Sequence, residues 1–355
     1  MTRVVAFLIR RLVTGVFTLC ALLALTFVVY WALPSQPARF VYPSAQQLSN
    51  YQVAHANHLL GLDKSKPVQY VDYLRQLARG DVGRFWTGSQ LIENKRLEQT
   101  PIGPTLFPSL RITLSIIFGG AVLVLLFALP LGTLAGSRIG SARDRAISSF
   151  SLLGICTHPM VLGLILASTF GTIGLGWLPG DGYCPLRRGP TDQCGGLHAW
   201  SVHLILPWLT FALLFLALYT RMVRISVAET LHEDFVRTAR AKGLPERRVL
   251  RSHVLPSASL RVLTMVGMEI GTAIGVCIYV EAAFRFNGLG RQAVIAMGGA
   301  SFGIDLPFTL AIVFLISVIV IVGNLAVDVL YAVLDPRAGR ETARGREKPL
   351  VGGVF

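Results

Sequence analysis

The sequence predicts an all-α integral membrane protein with six transmembrane helices, and three observations lead to this fold class. Hydrophobic residues occupy 53% of the 355 positions. Charged residues occupy only 15%, whereas a soluble domain carries roughly 25%. The mean hydropathy is +0.58, and the apolar residues form blocks close to the roughly 20 residues that a helix needs to cross a bilayer.

The first apolar block predicts a transmembrane helix at 12–33, after a cytoplasmic N-terminal segment at 1–11. Three arginines precede the block, as in a signal peptide, but the apolar core of a signal peptide has roughly 7 to 15 residues. This block is longer and ends in Tyr30 and Trp31, residue types that favour the membrane interface. We therefore expect this segment to be a transmembrane helix that stays in the protein, not a signal peptide that is cleaved off.

A polar segment at 34–108 follows, and it is too charged to span a membrane and too long to be a simple connector. Its pattern predicts short helices at 45–60 and 68–79 and a turn at 80–88. If the first helix enters from the cytoplasm, this segment is an extracytoplasmic insertion between helices 1 and 2.

The remaining apolar blocks predict a membrane core at 109–333, and a basic cytoplasmic tail at 334–355 follows it. His158 and Pro159 interrupt the third span, where we expect a packing kink. Spans 2 to 6 are predicted at 110–135, 146–173, 204–222, 262–282 and 306–330.

Two cysteines, Cys184 and Cys194, lie in the predicted external loop between the third and fourth spans. A pair of cysteines outside the cytoplasm can oxidise, so we expect a disulfide between them. A metal site is the alternative, but the neighbouring sequence offers no His and Cys spacing that completes four ligands.

The distribution of basic residues predicts that both termini are cytoplasmic. The predicted internal segments hold twenty Lys and Arg, and the two short external loops hold four. Short cytoplasmic loops are enriched in these residues. The net charge of +14 could also indicate nucleic-acid binding, but the basic residues do not alternate with aromatic ones as in such surfaces.

The charged segment at 227–256 is the strongest candidate for contact with another protein. Val227, Leu231, Phe235 and Ala239 recur every four residues, which predicts one apolar stripe on a helix. The polar residues occupy its other faces. A basic amphipathic loop of this kind could instead lie on an anionic membrane surface.

The second half of this segment predicts a helix stop and a second short helix. Arg240 and Lys242 complement the partial negative charge at a helix C-terminus, and Gly243 is suited to the left-handed conformation that closes a helix. Pro245 is suited to the first turn of the next helix, and Pro256 is expected to stop it. The result would be two short helices at an angle.

This spacing resembles the cytoplasmic "EAA" loop in permease subunits of bacterial ABC importers. It is most similar to the version of this loop in the peptide and nickel branch of that family. Arg and Thr replace the family's first Glu and Ala, and His253 its Ile. The matching positions are Arg237, Thr238 and Ala239 for the triplet, Gly243 for the glycine, and Leu255 and Pro256 for the final pair. Two other segments are similar to sequences of this branch. The first is a turn with Gly80, Asp81 and Gly83. The second contains Glu281, Phe284, Gly288 and Gly290, and it has Asn287 where the branch has a proline.

The resemblance implies a B-type permease with the type I ABC importer fold in a bacterial inner membrane. It implies a homologous permease partner, two ATPase subunits that bind ATP and Mg, and an extracytoplasmic solute-binding protein that delivers peptides or a related solute. No cofactor is expected in this chain. The residues that would contact an ATPase are Leu231, Phe235, Arg237, Thr238, Ala239, Arg240, Lys242, Gly243, Leu255 and Pro256.

The sequence contains no GxxxxGK[ST], HExxH or GxSxG motif, so we expect no nucleotide site, metal site or catalytic residue in it. Carboxylates inside spans often mark a transport route, which makes Glu269 and Glu281 candidates for the substrate pathway. The alternatives are a secondary transporter or channel subunit that works without an ATPase, and a scaffold or exporter permease.

Overall fold

The computed structural model describes residues 2–32, 37–42, 47–86, 90–91, 97–172, 174–187, 194–298 and 304–334. The elements within these ranges are α1 Thr2–Ala32, α2 Ala38–Val41, α3 Asn50–Leu59, α4 Lys66–Ala78, β1 Gln90–Leu91, β2 Leu97–Glu98, α5 Gly103–Gly136, α6 Ala142–Cys156, α7 Pro159–Phe170, α8 Leu197–Thr230, α9 Asp234–Ala241, α10 Glu246–Val249, a π turn Leu250–Val254, α11 Leu255–Ala283, α12 Leu289–Gly298 and α13 Leu306–Leu334.

Five helical stretches of the described residues are long and apolar enough to cross a membrane. They are Ile9–Ala32, Gly103–Gly136, Leu197–Thr230, Glu246–Ala283 and Leu306–Leu330. Because such helices satisfy their own backbone hydrogen bonds, they are the form in which an apolar chain can lie in lipid. The fold class predicted from composition is therefore confirmed as an all-α membrane protein, with the small strand pair as an unpredicted addition.

The predicted third span at 146–173 is wrong as a continuous helix. Helix α6 ends at Cys156, Thr157 has extended backbone angles of −92° and 130°, and α7 begins at Pro159. The residue before a proline is disfavoured in the helical conformation, which explains a break at His158 rather than a kink. Helix α7 has only 12 residues, so six continuous spans are not found in the described residues.

Helix ends outside the apolar blocks also differ from the predictions. Helix α8 continues to Thr230, beyond the predicted end at 222, and α11 begins at Leu255 rather than 262. Helix α12 was not predicted. Residues 335–355, which are all of the predicted tail except Leu334, lie outside the described residues.

The insertion contains α2, α3, α4 and the antiparallel pair β1–β2, whose short strands hydropathy did not predict. Ser49 begins α3 with a reciprocal capping box with Gln52. After α4, the Asp81 carboxylate accepts a hydrogen bond from the Gly83 N–H at 2.9 Å, as in an Asx turn, and Gly83 has φ +104°. The predicted tight turn therefore forms within this insertion.

An aromatic cluster packs the insertion against the ends of two long helices. Its described members come from the C-terminal half of α1, from the insertion and from the start of α13: Leu23, Phe27, Tyr30, Phe40, Tyr73, Trp86, Leu306 and Leu310. The buried carboxylate of Asp305 accepts hydrogen bonds from the Trp86 N–H at 2.9 Å and the Phe308 N–H at 3.2 Å. Cys184 and Cys194 form a disulfide, with their Cα atoms 5.7 Å apart.

The chain divides into two compact units. The first consists of 1–119, 159–211 and 274–319, and it contains the insertion. The second consists of 120–158, 212–273 and 320–355, and it contains the charged segment at 227–256.

Within the first unit, close packing of α5 and α8 depends on a glycine. A Cβ at Gly119 would lie 2.1 Å from the Trp208 ring, and the Trp208 indole N–H donates to the Ser115 carbonyl at 2.8 Å.

We expect Gly119→Ala to destabilise the protein by about 1–3 kcal/mol, the usual cost of overpacking. A thermal melt in detergent measures this. Gly275→Ala in α11 is the matched control because no atom lies within 4 Å of its added Cβ, and an equal melting temperature for Gly119→Ala would contradict the packing argument.

Candidate functional site

The charged segment begins with a break between α8 and α9. Helix α8 ends at Thr230, and Glu233 is the residue before the first turn of α9. The His232 N–H donates to the Glu229 carbonyl at 3.1 Å, a three-residue spacing that tightens the chain and ends the helix. The predicted stripe on one continuous helix is therefore wrong, because Val227 lies on α8, Leu231 in the turn and Ala239 on α9.

Helix α9 has a buried and an exposed face whose assignment differs from the prediction. Val236 and Ala239 are 0% and 6% exposed, so they lie on the face of α9 that the protein covers. Phe235 is 44% exposed. The other exposed side chains in and directly after α9 include Arg237, Thr238, Arg240 and Lys242. An aromatic ring and several cations are thus exposed on α9 and directly after it.

Gly243 closes α9 in the conformation that the sequence predicts, with φ +75°. Its N–H donates to the Arg240 carbonyl at 2.9 Å, and the Leu244 N–H donates to the Ala239 carbonyl at 3.4 Å. These two bonds define a Schellman motif. No atom lies within 4 Å of a Cβ added at Gly243, so only its backbone conformation restricts the residue type.

The predicted stop of the second helix at Pro256 is wrong. Helix α10, the π turn and α11 follow without interruption, and Pro256 occupies the second position of α11. The Leu255 N–H donates to the Leu250 carbonyl, a five-residue spacing. The π turn therefore lies just before the proline, and both features are recognised causes of local bending in helices. Leu255 is half-buried and Pro256 is exposed.

An ion pair joins α9 to α10 across Gly243. The Arg240 guanidinium donates to both carboxylate oxygens of Glu246, at 2.6 and 3.1 Å. Both side chains are about half exposed, so the pair contributes at most about 1 kcal/mol to stability. Its bidentate geometry nevertheless favours one angle between the two helices.

Arg261 of α11 joins this segment to the end of α8. Its guanidinium contacts the Glu229 carboxylate and lies 4.0 Å from the Glu233 carboxylate. Nearby, the buried Ser226 hydroxyl of α8 donates to the Ala258 carbonyl at 3.1 Å. The start of α9 is therefore connected to both long helices that flank it.

An ion pair between a half-buried arginine and a buried carboxylate joins α8 to the first turn of α6. The Arg224 guanidinium contacts Asp144, with 2.9 Å between Nη2 and Oδ2. Asp144 also accepts hydrogen bonds from the Gly140 N–H at 2.8 Å and the Ser148 hydroxyl at 3.3 Å. The hydrogen bond from the Arg224 guanidinium is the largest cause that lowers the pKa of Asp144, from its usual 3.8 to about 2. The hydrogen bonds from Gly140 and Ser148 lower it as well.

The two candidate pathway carboxylates lie in different surroundings. Glu281 is 0% exposed and accepts hydrogen bonds from the Thr113 hydroxyl at 2.5 Å and the Arg291 N–H at 2.9 Å. A Cβ at Gly288 would lie 2.1 Å from the Glu281 carboxylate. Glu281 therefore lies in a closed polar cluster, whereas Glu269 is only half-buried in α11.

Sequence reasoning missed Val236, Arg261 and the Asp144–Arg224 pair. The hydrophobic pattern contained a signal for Val236, because Val236 and Ala239 are three residues apart on one helix. The partners of the two arginines are 32 and 80 residues away in the chain. No local pattern indicates contacts at such separations.

Two family models match the chain. "Binding-protein-dependent transport system inner membrane component" matches residues 128–340, which include the whole charged segment. The N-terminal model of the same transport systems matches residues 4–88, that is, α1 and most of the insertion.

Curated relatives match along nearly the whole chain. The oligopeptide transport system permease protein AppB of Bacillus subtilis is 32% identical over 94% of this chain and 98% of its own length. The di/tripeptide transport system permease protein DppB of Pseudomonas aeruginosa is 32% identical over 94% of this chain and 98% of its own length. The glutathione transport system permease protein GsiC of Salmonella typhi is 30% identical over 93% of this chain and 97% of its own length.

Among solved structures, an inward-facing chain of the MetNI methionine ABC transporter matches 63% of this chain and 93% of its own, with 16% identity and a TM-score of 0.48. The apolar helices and the family matches together define a multi-pass membrane permease subunit. The chain belongs to the family of binding-protein-dependent transport system inner membrane components.

The Asp144–Arg224 pair predicts a pH-dependent contribution to stability. Because the pKa of Asp144 is lowered in the folded protein to about 2, the pair stabilises it above about pH 4 and loses this effect as the pH falls towards 2. We expect Asp144→Asn to cost about 2–3 kcal/mol at pH 7. Melting temperatures of both proteins between pH 7 and 3 measure this, and the difference should shrink on acidification.

Asp234→Asn is the matched control. Asp234 pairs with Arg237 at 3.7 Å, but its side chain is 97% exposed, so the change should have little effect. A pH-independent difference between wild type and Asp144→Asn would contradict the assigned role of the buried pair.

Proposed function

We propose that this chain is one of two homologous permease subunits of an ATP-driven importer for peptides or a related solute. The single observation that carries the proposal is that α9 and the residue after it expose Phe235, Arg237 and Lys242 on a segment braced by ion pairs. The names of the full-length relatives support peptides as the substrate class. The expected location is a bacterial inner membrane with both termini in the cytoplasm.

The proposed partner of α9 is an ATPase subunit rather than the membrane surface. A helix that lies on lipid buries its apolar face in the headgroup region. In α9 the two buried residues, Val236 and Ala239, are covered by the protein itself. The exposed residues of α9 and its C-cap include Phe235, Arg237 and Lys242, and aromatic and Arg side chains are enriched at energetically important positions of protein interfaces.

The proposed mechanism is mechanical coupling. ATP and Mg would be bound and ATP hydrolysed by two separate ATPase subunits, and their closure would displace α9. Because Arg240 joins α9 to Glu246 and Arg261 joins its start to α8 and α11, such a displacement would reach the long helices. ATP can drive this change only if the ATPases bind it more tightly in one of the two arrangements.

The solute would be delivered by an extracytoplasmic binding protein and would pass between the two permease subunits. Glu269 is the better candidate for lining this route, since the carboxylate of Glu281 is engaged by Thr113 and Arg291. The alternative is a secondary transporter or channel. It has no use for an ATPase contact, and uptake that persists without ATP would favour it.

Co-purification tests the proposed partner. When the chain is purified under mild conditions from the cells that naturally produce it, we expect it to retain two ATPase subunits. Phe235→Ala should cost about 1–2 kcal/mol of binding and reduce the retained ATPase at least fivefold. The matched control Phe118→Ala removes another exposed ring from α5 and should have no effect. A chain that retains no ATPase, or equal retention by both variants, would overturn the proposal.

Substitutions of Gly243 test the coupling role separately from binding. A left-handed conformation costs a β-branched residue about 1–2 kcal/mol, whereas Asn tolerates it. We expect Gly243→Val to remain in the membrane but to lose at least tenfold in stimulated ATP hydrolysis and in uptake. Gly243→Asp should lose both activities as well, because it adds a negative charge at the C-terminus of α9, where the partial charge of the helix is already negative. Gly243→Asn should retain most of both activities. Normal uptake by Gly243→Val would contradict a role for the angle between α9 and α10.

A further inference from the structure

The turn between α5 and α6 carries a cluster of exposed cations. Three arginines of this turn are exposed and make no ion pair with a residue in the described part of the chain: Arg138, Arg143 and Arg145. Asp144 is the single acidic residue at 137–149, and its buried carboxylate contacts Arg224 of α8. The carboxylate is therefore directed towards the protein, and the surface of the turn is strongly positive.

This placement of charge does not favour the fold. Arg143 and Arg145 lie at the start of α6, next to the partial positive charge of the helix N-terminus. Cations are unfavourable at this end of a helix, and the neighbouring arginines also repel one another. An anion from outside the chain would compensate both repulsions.

The length of α5 places the arginines at the level of the lipid headgroups. No charged residue occurs at 112–137. At about 1.5 Å per residue this stretch measures about 39 Å as a helix, close to the roughly 40–45 Å of a bilayer with its headgroup regions. Because α5 ends at Gly136 and α6 begins at Ala142, the turn is too short to carry the arginines far from this level.

Exposed apolar side chains border the cations. Ile139 lies within the turn and is 59% exposed, and Leu134 of α5 and Phe150 of α6 are 52% and 56% exposed. Exposed apolar surface next to a strongly positive turn matches a phospholipid, which combines acyl chains with a phosphate. A polar protein surface would leave these apolar side chains without a partner.

We propose that the turn at 137–145 binds the headgroups of anionic phospholipids such as phosphatidylglycerol. The three exposed guanidinium groups donate hydrogen bonds to the phosphate, and the acyl chains lie against the apolar side chains that border them. This lipid site belongs to the second unit and does not depend on the proposed ATPase contact.

Native mass spectrometry of the full chain in detergent tests the lipid site by titration with phosphatidylglycerol or phosphatidylcholine. We expect phosphatidylglycerol to bind at least about tenfold more tightly. Arg143→Gln and Arg145→Gln should each weaken its binding about fivefold, and the triple variant that also contains Arg138→Gln should weaken it roughly 100-fold. Equal binding of the two lipids, or unchanged binding by the triple variant, would overturn the proposal.

Two comparisons separate the lipid from other sources of negative charge. Arg79→Gln removes an exposed arginine from the first unit and should bind phosphatidylglycerol as wild type does; equal weakening by this variant would contradict a specific site. Inorganic phosphate should not displace the lipid, and displacement would identify the turn as a site for free phosphate. If the triple variant binds lipid normally but retains less ATPase, the partner is a protein and the proposal is wrong.

The melting temperature shows whether the arginines serve the fold or a ligand. Without anionic lipid, Arg143→Gln and Arg145→Gln should melt at the same temperature as wild type or higher, because each removes a cation from the start of α6. Added phosphatidylglycerol should raise the melting temperature of wild type more than that of the triple variant. A lower melting temperature of either single variant without lipid, or an equal rise for wild type and triple variant, would overturn the proposal.

Discussion

The requirement that every backbone N–H and C=O in lipid has a partner determines where this chain can leave a helix. The described breaks that flank or interrupt the long helices each have a local device. Thr157 and Pro159 divide α6 from α7, and Gly243 ends α9 in a Schellman motif. After α11, the Phe286 N–H donates to the Glu281 carbonyl at 2.8 Å. These three described breaks are therefore stabilised by specific backbone features.

Basic residues of the predicted cytoplasmic segments have two separate roles. Their excess over the external loops is the usual determinant of orientation. The structure divides them further: Arg224, Arg240 and Arg261 contact carboxylates, whereas Lys242 is exposed. Paired cations hold the charged segment together, and exposed ones remain available to a partner. A count of charges, which served the topology prediction, cannot make this distinction.

The fold was predictable from the sequence where one physical effect dominates. Apolar blocks predicted the long helices, because lipid selects both their length and their composition. The ends of α8 and α11 were missed, because these helices continue beyond the apolar blocks into charged sequence, where hydropathy carries no signal. The faces of α9 were misassigned because the turn at 231–233 resets the helical phase. Gly243 was predicted correctly, since its conformation depends on local backbone sterics alone.

Glu281 illustrates why an acidic residue in an apolar segment does not by itself indicate transport chemistry. The Thr113 hydroxyl donates to its carboxylate and accepts a hydrogen bond from the Leu289 N–H at 2.9 Å, while the Arg291 N–H donates to the carboxylate directly. Leu289 and Arg291 belong to the first turn of α12, where N–H groups lack partners within the helix. The carboxylate therefore acts as a buried cap. Gly288 leaves the space for it, since any side chain there would collide with the Glu281 oxygens.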